Sequence, residues 1–263
     1  MSLLEVTDLK VAFPTEDGLV QAVQGISFSI DAGQTLGIVG ESGSGKSVST
    51  QTIMGLTRGA IIEGTAVFEG RDLLTMAEDD LRKVRGAQIG MIFQDPLSSL
   101  HPQYRIGWQI VEMIQAHEDV TKKQATKRAI DLLGLVGIAQ PERRVEDFPH
   151  QFSGGMRQRA MIAMALALNP RLLIADEPTT ALDVTVQAQI LRLLLDLRDQ
   201  RGLSIIMITH DLGVVAQTCD SIAVMYAGRL CEHGSKYDLL AHPQHPYTAG
   251  LIDCQPAHSS GHA

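Results

Sequence analysis

Residues 40–47 read GESGSGKS and fit G-x-x-x-x-G-K-[ST] in full. No other feature constrains the chain as much. The motif works only where a strand feeds a loop that opens a helix, because backbone N–H groups must converge on phosphate oxygens. The flanking sequence supplies both. Thr35 to Val39 is a short apolar run, and a helical stretch follows to about Met54. Gly40, Gly43 and Gly45 let the backbone curl around Ser42 and Ser44. Lys46 is placed to reach the β- and γ-phosphates, and Ser47 to give its hydroxyl to Mg²⁺. A plain glycine-rich turn is the bland alternative, and the strand and helix on either side weigh against it.

A second element has the matching chemistry. Leu172-Leu173-Ile174-Ala175-Asp176-Glu177 is an apolar strand that ends in two carboxylates. Ligands gather at such strand ends in open α/β sheets. Asp176 suits Mg²⁺ held through water, and Glu177 suits polarisation of an attacking water. A solvated turn would use the same residues, but the phosphate loop upstream favours the catalytic reading.

The remaining chain reads as an α/β protein. Leu3 to Phe13, Ala22 to Ile30, Ile61 to Phe68 and Gln88 to Phe93 carry strand patterns. From about Ile106 to Leu168 the pattern becomes helical, with Ala125, Ala129, Leu132, Leu133 and Val136 on one face and an all-apolar helix from Ala160 to Leu168. Strands return at Ser204 to Thr209 and in a hairpin around Ala227-Gly228, after a long helix from about Val184 to Asp199. The expected fold is a P-loop NTPase core with a mainly parallel sheet, an N-terminal antiparallel β patch and an inserted α-helical subdomain.

Composition limits the partners. The 22 Lys and Arg against 30 Asp and Glu give a net charge of −8, a poor balance for wrapping nucleic acid. No apolar run approaches the about 20 residues a membrane helix needs, and Glu5 and Asp8 interrupt any signal sequence. Cys219, Cys231 and Cys254 form no C-x-x-C pair and no even framework.

The stretch Phe152-Ser153-Gly154-Gly155-Met156-Arg157-Gln158-Arg159 narrows the class. It resembles the LSGGQ signature of the ATP-binding cassette (ABC) family, with Phe152 for Leu and Met156 for Gln. Ser153, Gly154 and Gly155 open a helix whose N–H groups face an anion, although Ser153 alone would equally suit a plain N-cap. Other family positions match in order. Gln94 resembles the Q-loop glutamine and a Mg²⁺ contact, Ala181-Leu182-Asp183 the D-loop, and His210 the switch histidine. Phe13 lies where the family places an aromatic against adenine; a core Phe is the alternative. The resemblance implies a site split between two subunits. One brings Lys46, Ser47, Gln94, Asp176, Glu177 and His210; the other brings Ser153, Gly154, Gly155 and Asp183.

Two further elements resemble one subfamily. His245-Pro246-Tyr247-Thr248 is similar to the HPYT element of peptide and nickel importer ATPases, and the run from Asp95 to Pro102 to their DPxSSLNP, with His101 for Asn. The likeness implies an ATP-hydrolysing importer subunit for di- or oligopeptides, at the cytoplasmic face of the cell membrane. Nickel or another small solute, or a soluble non-transport cassette, are the alternatives. Implied partners are two transmembrane permease subunits, a second, paralogous ATPase subunit and, indirectly, an extracytoplasmic solute-binding protein, with no nucleic acid. Implied cofactors are ATP and Mg²⁺. Members with an iron–sulfur cluster carry several tail cysteines; Cys254 alone implies no cluster. The expected layout is one nucleotide-binding domain over residues 1–250, a helical signature subdomain at about 96–168 and a short flexible tail at 251–263. The apolar residues from Gln94 to Trp108, Leu97 and Leu100 among them, are expected to form a groove for a permease helix, with core packing as the alternative.

Overall fold

Burial in β1 (Ser2–Thr15) alternates at Leu4 and Val6, then resumes one residue out of phase at Leu9 and Val11. A one-residue slip would turn the apolar face outward unless the strand bulged. It bulges. The register with β2 (Gly18–Asp31) shifts between Val6 and Leu9, and Asp8 takes a positive φ of 46°. The Asp8 N–H then donates to Ser27 Oγ at 2.9 Å.

The computed structural model describes residues 2–180 and 182–254. The chain forms two compact units, one from the chain up to Leu81 together with the chain from Ser204 onward, the other from Arg82–Leu203. In the first unit β1 pairs antiparallel with β2 and with β4 (Ile61–Phe68), and β5 (Arg71–Asp72) pairs antiparallel with the end of β4. This is the expected antiparallel patch. The parallel part is built on β3 (Thr35–Val39), which is followed by α1 (Lys46–Ile53).

The chain crosses into the second unit along α2 (Glu78–Val84). There β6 (Ile89–Ile92) lies parallel to β7 (Leu172–Asp176). Between them in sequence come α3 (Pro96–Ser99), α4 (Ile106–His117), α5 (Lys122–Leu135), α6 (Pro141–Arg144) and α7 (Gly154–Ala165). Helices α4, α5 and α7 pack on one another. Thr121 and Gln124 cap α5 reciprocally, and the buried face holds Ala125, Ala129, Leu132 and Leu133. After β7, α8 (Val184–Arg201) starts on the Asp183 cap and stops at left-handed Gly202.

The chain returns to the first unit with β8 (Ser204–Thr209), α9 (Leu212–Thr218), β9 (Ser221–Tyr226), β10 (Arg229–Ser235), α10 (Lys236–Ala241) and α11 (Pro246–Asp253). β3 lies between β8 and β9, parallel to both, and β10 turns back antiparallel on β9. Every residue of β3 and β8 is buried, as expected of parallel strands covered on both faces. Gly37 lets α9 approach, because a Cβ there would lie 2.2 Å from Val215 Cγ1.

The expected fold class is borne out, with two differences in detail. Helix α11 runs to Asp253, three residues into the expected tail, and residues 255–263 of that tail lie outside the described residues. The groove expected from Gln94 to Trp108 divides. Leu100 and Ile106 are 2% and 1% exposed and belong to the core, whereas Tyr104 and Trp108 are 44% and 40% exposed. The side chain of Leu97 lies outside what the structure describes. Apolar residues enter the core wherever the backbone lets them turn inward, and a low charge count does not distinguish that from an open groove.

Leu100→Glu therefore destabilises the second unit itself. Burying an unpaired carboxylate costs upward of about 3 kcal/mol, which in a chain of this size lowers Tm by about 6–12 °C. Thermal melting of the isolated chain checks this; an unchanged Tm would place Leu100 on the surface.

Candidate nucleotide-binding and hydrolytic site

In the first unit the site starts where β3 ends. Val39 pairs with Thr209 of β8 and with Val224 of β9, so the chain leaves the sheet at Gly40 between two parallel neighbours. Only glycine fits that exit, since a Cβ on Gly40 would lie 2.0 Å from the Met225 carbonyl oxygen. Gly45 caps α1 with φ 97°, and its missing Cβ leaves space for the Ala22 carbonyl of β2 at 2.5 Å.

The loop closes around its own lysine. Lys46 is 4% exposed, and its Nζ donates to the carbonyls of Gly40 at 2.7 Å and Glu41 at 2.8 Å, and to Ser44 Oγ at 3.3 Å. The Ser44 carbonyl accepts from the Gly228 N–H at 3.0 Å, at the turn between β9 and β10. With these carbonyls engaged, the positive end of α1 and the loop amides form the anion-binding side. Ser42 and Gly43 are exposed, and Ser47 is half-buried in the first turn of α1.

His210 follows Thr209 directly, and the β3–β8 register sets it level with Gly40 at the same sheet end. It is exposed, and the next residue, Asp211, caps α9 through the N–H groups of Gly213 and Val214. Phe13 is half-buried near the β1–β2 turn, opposite Val20. Helix α1 packs on both of these strands.

The second unit holds the carboxylates. Ile92 of β6 is level with Ala175 of β7, so two residues further on Gln94 comes level with Glu177. Gln94 Nε2 donates to Glu177 Oε2 at 3.0 Å, and Thr180 Oγ1 donates to the same oxygen at 2.8 Å. Glu177 is thus held by two donors, with a backbone φ of 46°. Asp176, one residue earlier, is 2% exposed at the end of β7. The role of Thr180 is not legible in the sequence, because nothing in the run PTT distinguishes the residue that turns back to the carboxylate.

Ser153 caps α7 by accepting from Met156 N–H at 3.3 Å, and Ser153 and Gly154 are exposed. A Cβ on Gly155 would lie 2.8 Å from Val186 Cγ1, so this glycine lets the start of α7 meet the start of α8. Asp183, the cap of α8, accepts from Val186 N–H at 2.9 Å. Signature and Asp183 are therefore neighbours in one unit, while Ala181 lies outside the described residues. Each unit brings together its own group: residues 40–47 with His210 in the first, Gln94 with Asp176 and Glu177 in the second.

Each unit carries oxygens of the hard kind that Mg²⁺ takes: the Ser47 hydroxyl in the first, and in the second the Asp176 carboxylate and the Gln94 amide oxygen, the Gln94 amide nitrogen being the atom turned to Glu177.

Comparison with known proteins gives the family. The family model described as ABC transporter matches residues 23–180. The oligopeptide transport ATP-binding protein OppD of Bacillus subtilis is 57% identical over 98% of this chain and 74% of its own. The dipeptide transport ATP-binding protein DppD of Lactococcus lactis is 53% identical over 97% of this chain and 74% of its own. Among solved structures, the dimeric ATP-binding cassette MJ0796 bound to ADP and Pi aligns with a TM-score of 0.79 at 27% identity, over 89% of this chain and 98% of that one. A family model over more than half of the residues, and relatives more than half identical along nearly the whole chain, carry one conclusion: the chain belongs to the ABC transporter family of ATP-binding proteins.

Proposed function

We propose that this chain is the ATP-hydrolysing subunit of a membrane importer for oligopeptides or dipeptides. The family is one of ATPases. The observation that carries catalysis is the Glu177 carboxylate held by Gln94 and Thr180 beyond β7. The peptide cargo is supported by the names of relatives such as OppD and DppD.

In this reading ATP phosphates draw the Lys46 ammonium from the carbonyls of Gly40 and Glu41. Exchanging neutral acceptors for charged oxygens strengthens its hydrogen bonds. Ser47, Gln94 and Asp176 would hold Mg²⁺, which would supply neutralisation of phosphate charge. Glu177 orients the attacking water, and its donors keep the carboxylate from turning away. His210 reaches the same phosphate end, and Phe13 stacks on the base. Ser153, Gly154, Gly155 and Asp183 act across the nucleotide of a second ATPase subunit, a paralogue of this chain. ATP then adds binding energy only to the closed pair, and hydrolysis withdraws it. Residues 1–250 work as one nucleotide-binding domain.

No helix among the described residues is long and apolar enough to cross a membrane. We infer peripheral attachment to two permease subunits on the cytoplasmic face, with the solute-binding protein acting on the far side. The docking surface is the exposed Tyr104–Trp108 stack, with ring centroids 4.2 Å apart. Beside it lies a cavity of about 240 Å³ lined by Arg105, Trp108, Val111 and Lys122, which suits an amphipathic permease helix.

Glu177→Gln is expected to cut turnover of the assembled transporter by a hundredfold or more while ATP stays bound. Steady-state hydrolysis beside nucleotide retention measures it, and normal turnover of a transporter whose only competent site is so altered would remove Glu177 from the mechanism. Lys46→Ala is expected to weaken ATP binding by about tenfold or more and abolish turnover, because one ammonium serves both ground and transition states. Titration of the full chain with ATP reads this directly. Trp108→Ala should leave ATP affinity of the isolated chain within about twofold yet weaken pull-down of the permease subunits by tenfold or more. Unchanged assembly and peptide uptake would move the docking surface elsewhere.

A further inference from the structure

We propose that Tyr247 is a positioning residue of the phosphate loop: its hydroxyl holds the backbone of Glu41 and so ties helix α11 to the loop. The inference rests on residues 40–47 being the ATP site. The Glu41 N–H donates to Tyr247 Oη at 3.2 Å, although 206 positions separate the two in sequence. The Glu41 carbonyl is taken by Lys46 Nζ at 2.8 Å. Both backbone groups of the loop's second residue are therefore fixed, one by the loop's own lysine and one by the C-terminal helix.

The helix is itself anchored. Glu232 of β10 accepts from the N–H groups of Gln244 at 2.9 Å and His245 at 3.1 Å. Burial would raise the Glu232 carboxyl, but these donors outweigh it and hold the group below its ordinary value. His245 Nδ1 accepts from the Tyr247 N–H at 3.1 Å and caps α11. The Tyr247 ring then lies against Tyr226, with centroids 4.6 Å apart. Tyr226 immediately precedes the turn whose Gly228 N–H holds the Ser44 carbonyl. The hairpin and the helix thus grip the loop at Ser44 and Glu41. Burial pushes the Tyr247 hydroxyl above its usual value, so it stays a neutral O–H at physiological pH.

The consequence lies in the nucleotide-bound state. When Lys46 turns to the phosphates, the Glu41 carbonyl keeps only the Ser44 N–H of its own loop, at 3.2 Å, and the Tyr247 bond becomes the tie from Glu41 to the fold outside the loop. Without it the loop start must be ordered as ATP binds, which weakens affinity without touching the reacting atoms.

Tyr247→Phe keeps the ring and removes the hydroxyl. The full chain is titrated with ATP and Mg²⁺, and the assembled transporter is assayed for kcat and KM, with Tyr237→Phe as control on a residue 75% exposed. The expected result is a three- to tenfold rise in Kd and KM for ATP, roughly the effect of one hydrogen bond, with kcat within about twofold and Tm unchanged. Unchanged Kd and KM would overturn the proposal, and so would a joint fall of Tm, kcat and affinity, which marks a merely structural role. Amide hydrogen exchange of the unaltered chain gives a second measure that needs no variant. A Glu41 amide protected above its exposed neighbours Ser42 and Gly43 supports the bond, and exchange as fast as theirs refutes it. Lys46→Ala, measured in parallel, separates the two levels: loss of ATP binding there with wild-type behaviour of Tyr247→Phe rejects Tyr247 alone, whereas retained binding rejects the site.

Discussion

A buried ammonium ion organises the first unit. Lys46 is only 4% exposed, and a desolvated charge of that kind is tolerable only if oxygens surround it. The loop meets the demand with its own carbonyls, at Gly40 and Glu41, and with the Ser44 hydroxyl. Folding carbonyls inward toward a lysine turns amides the other way, so the arrangement that solvates the cation also builds the anion site. The glycines follow from the same demand. Gly40 gives way to the Met225 carbonyl and Gly45 to that of Ala22, so the loop is shaped by β9 and β2 as much as by its own sequence.

Parallel pairing does the corresponding work in the second unit. A parallel ladder keeps residues level along the strands, so whatever follows one strand comes beside whatever follows its neighbour. That is how Gln94 meets Glu177 across a gap of 83 positions without any local sequence signal joining them. The same rule sets His210 level with Gly40 in the first unit. Chemistry collects at these ends because the strands stop there while their register continues.

Much of this was legible in the sequence, for identifiable reasons. β3, β4 and β8 carry the boundaries their apolar runs suggest, and the pattern is strongest in β3 and β8, parallel strands buried along their whole length. The phosphate loop declares itself because its spacing is dictated by phosphate geometry. Helices α2, α9 and α10 leave no legible pattern, having six or seven residues, too few to establish a period of 3.6. Leu100 could not be assigned a side from composition, because both core and groove are apolar. The contacts of Thr180 and Tyr247 are invisible in the sequence for another reason. Their partners, Glu177 and the Glu41 amide, are chosen by a turn and by a distant helix, and a single hydroxyl carries no sequence signature.

Glu177 is a glutamate in the left-handed region, with φ 46°. Side chains other than glycine and asparagine meet steric resistance there, of about 1–3 kcal/mol at such sites. The position therefore opposes stability to activity. A selection for heat resistance alone would favour Glu177→Gly or Glu177→Asn, each relieving the backbone and each removing the carboxylate. If Glu177 serves turnover as proposed, thermostabilisation of this chain has to look elsewhere, at positions where conformation and chemistry make the same demand.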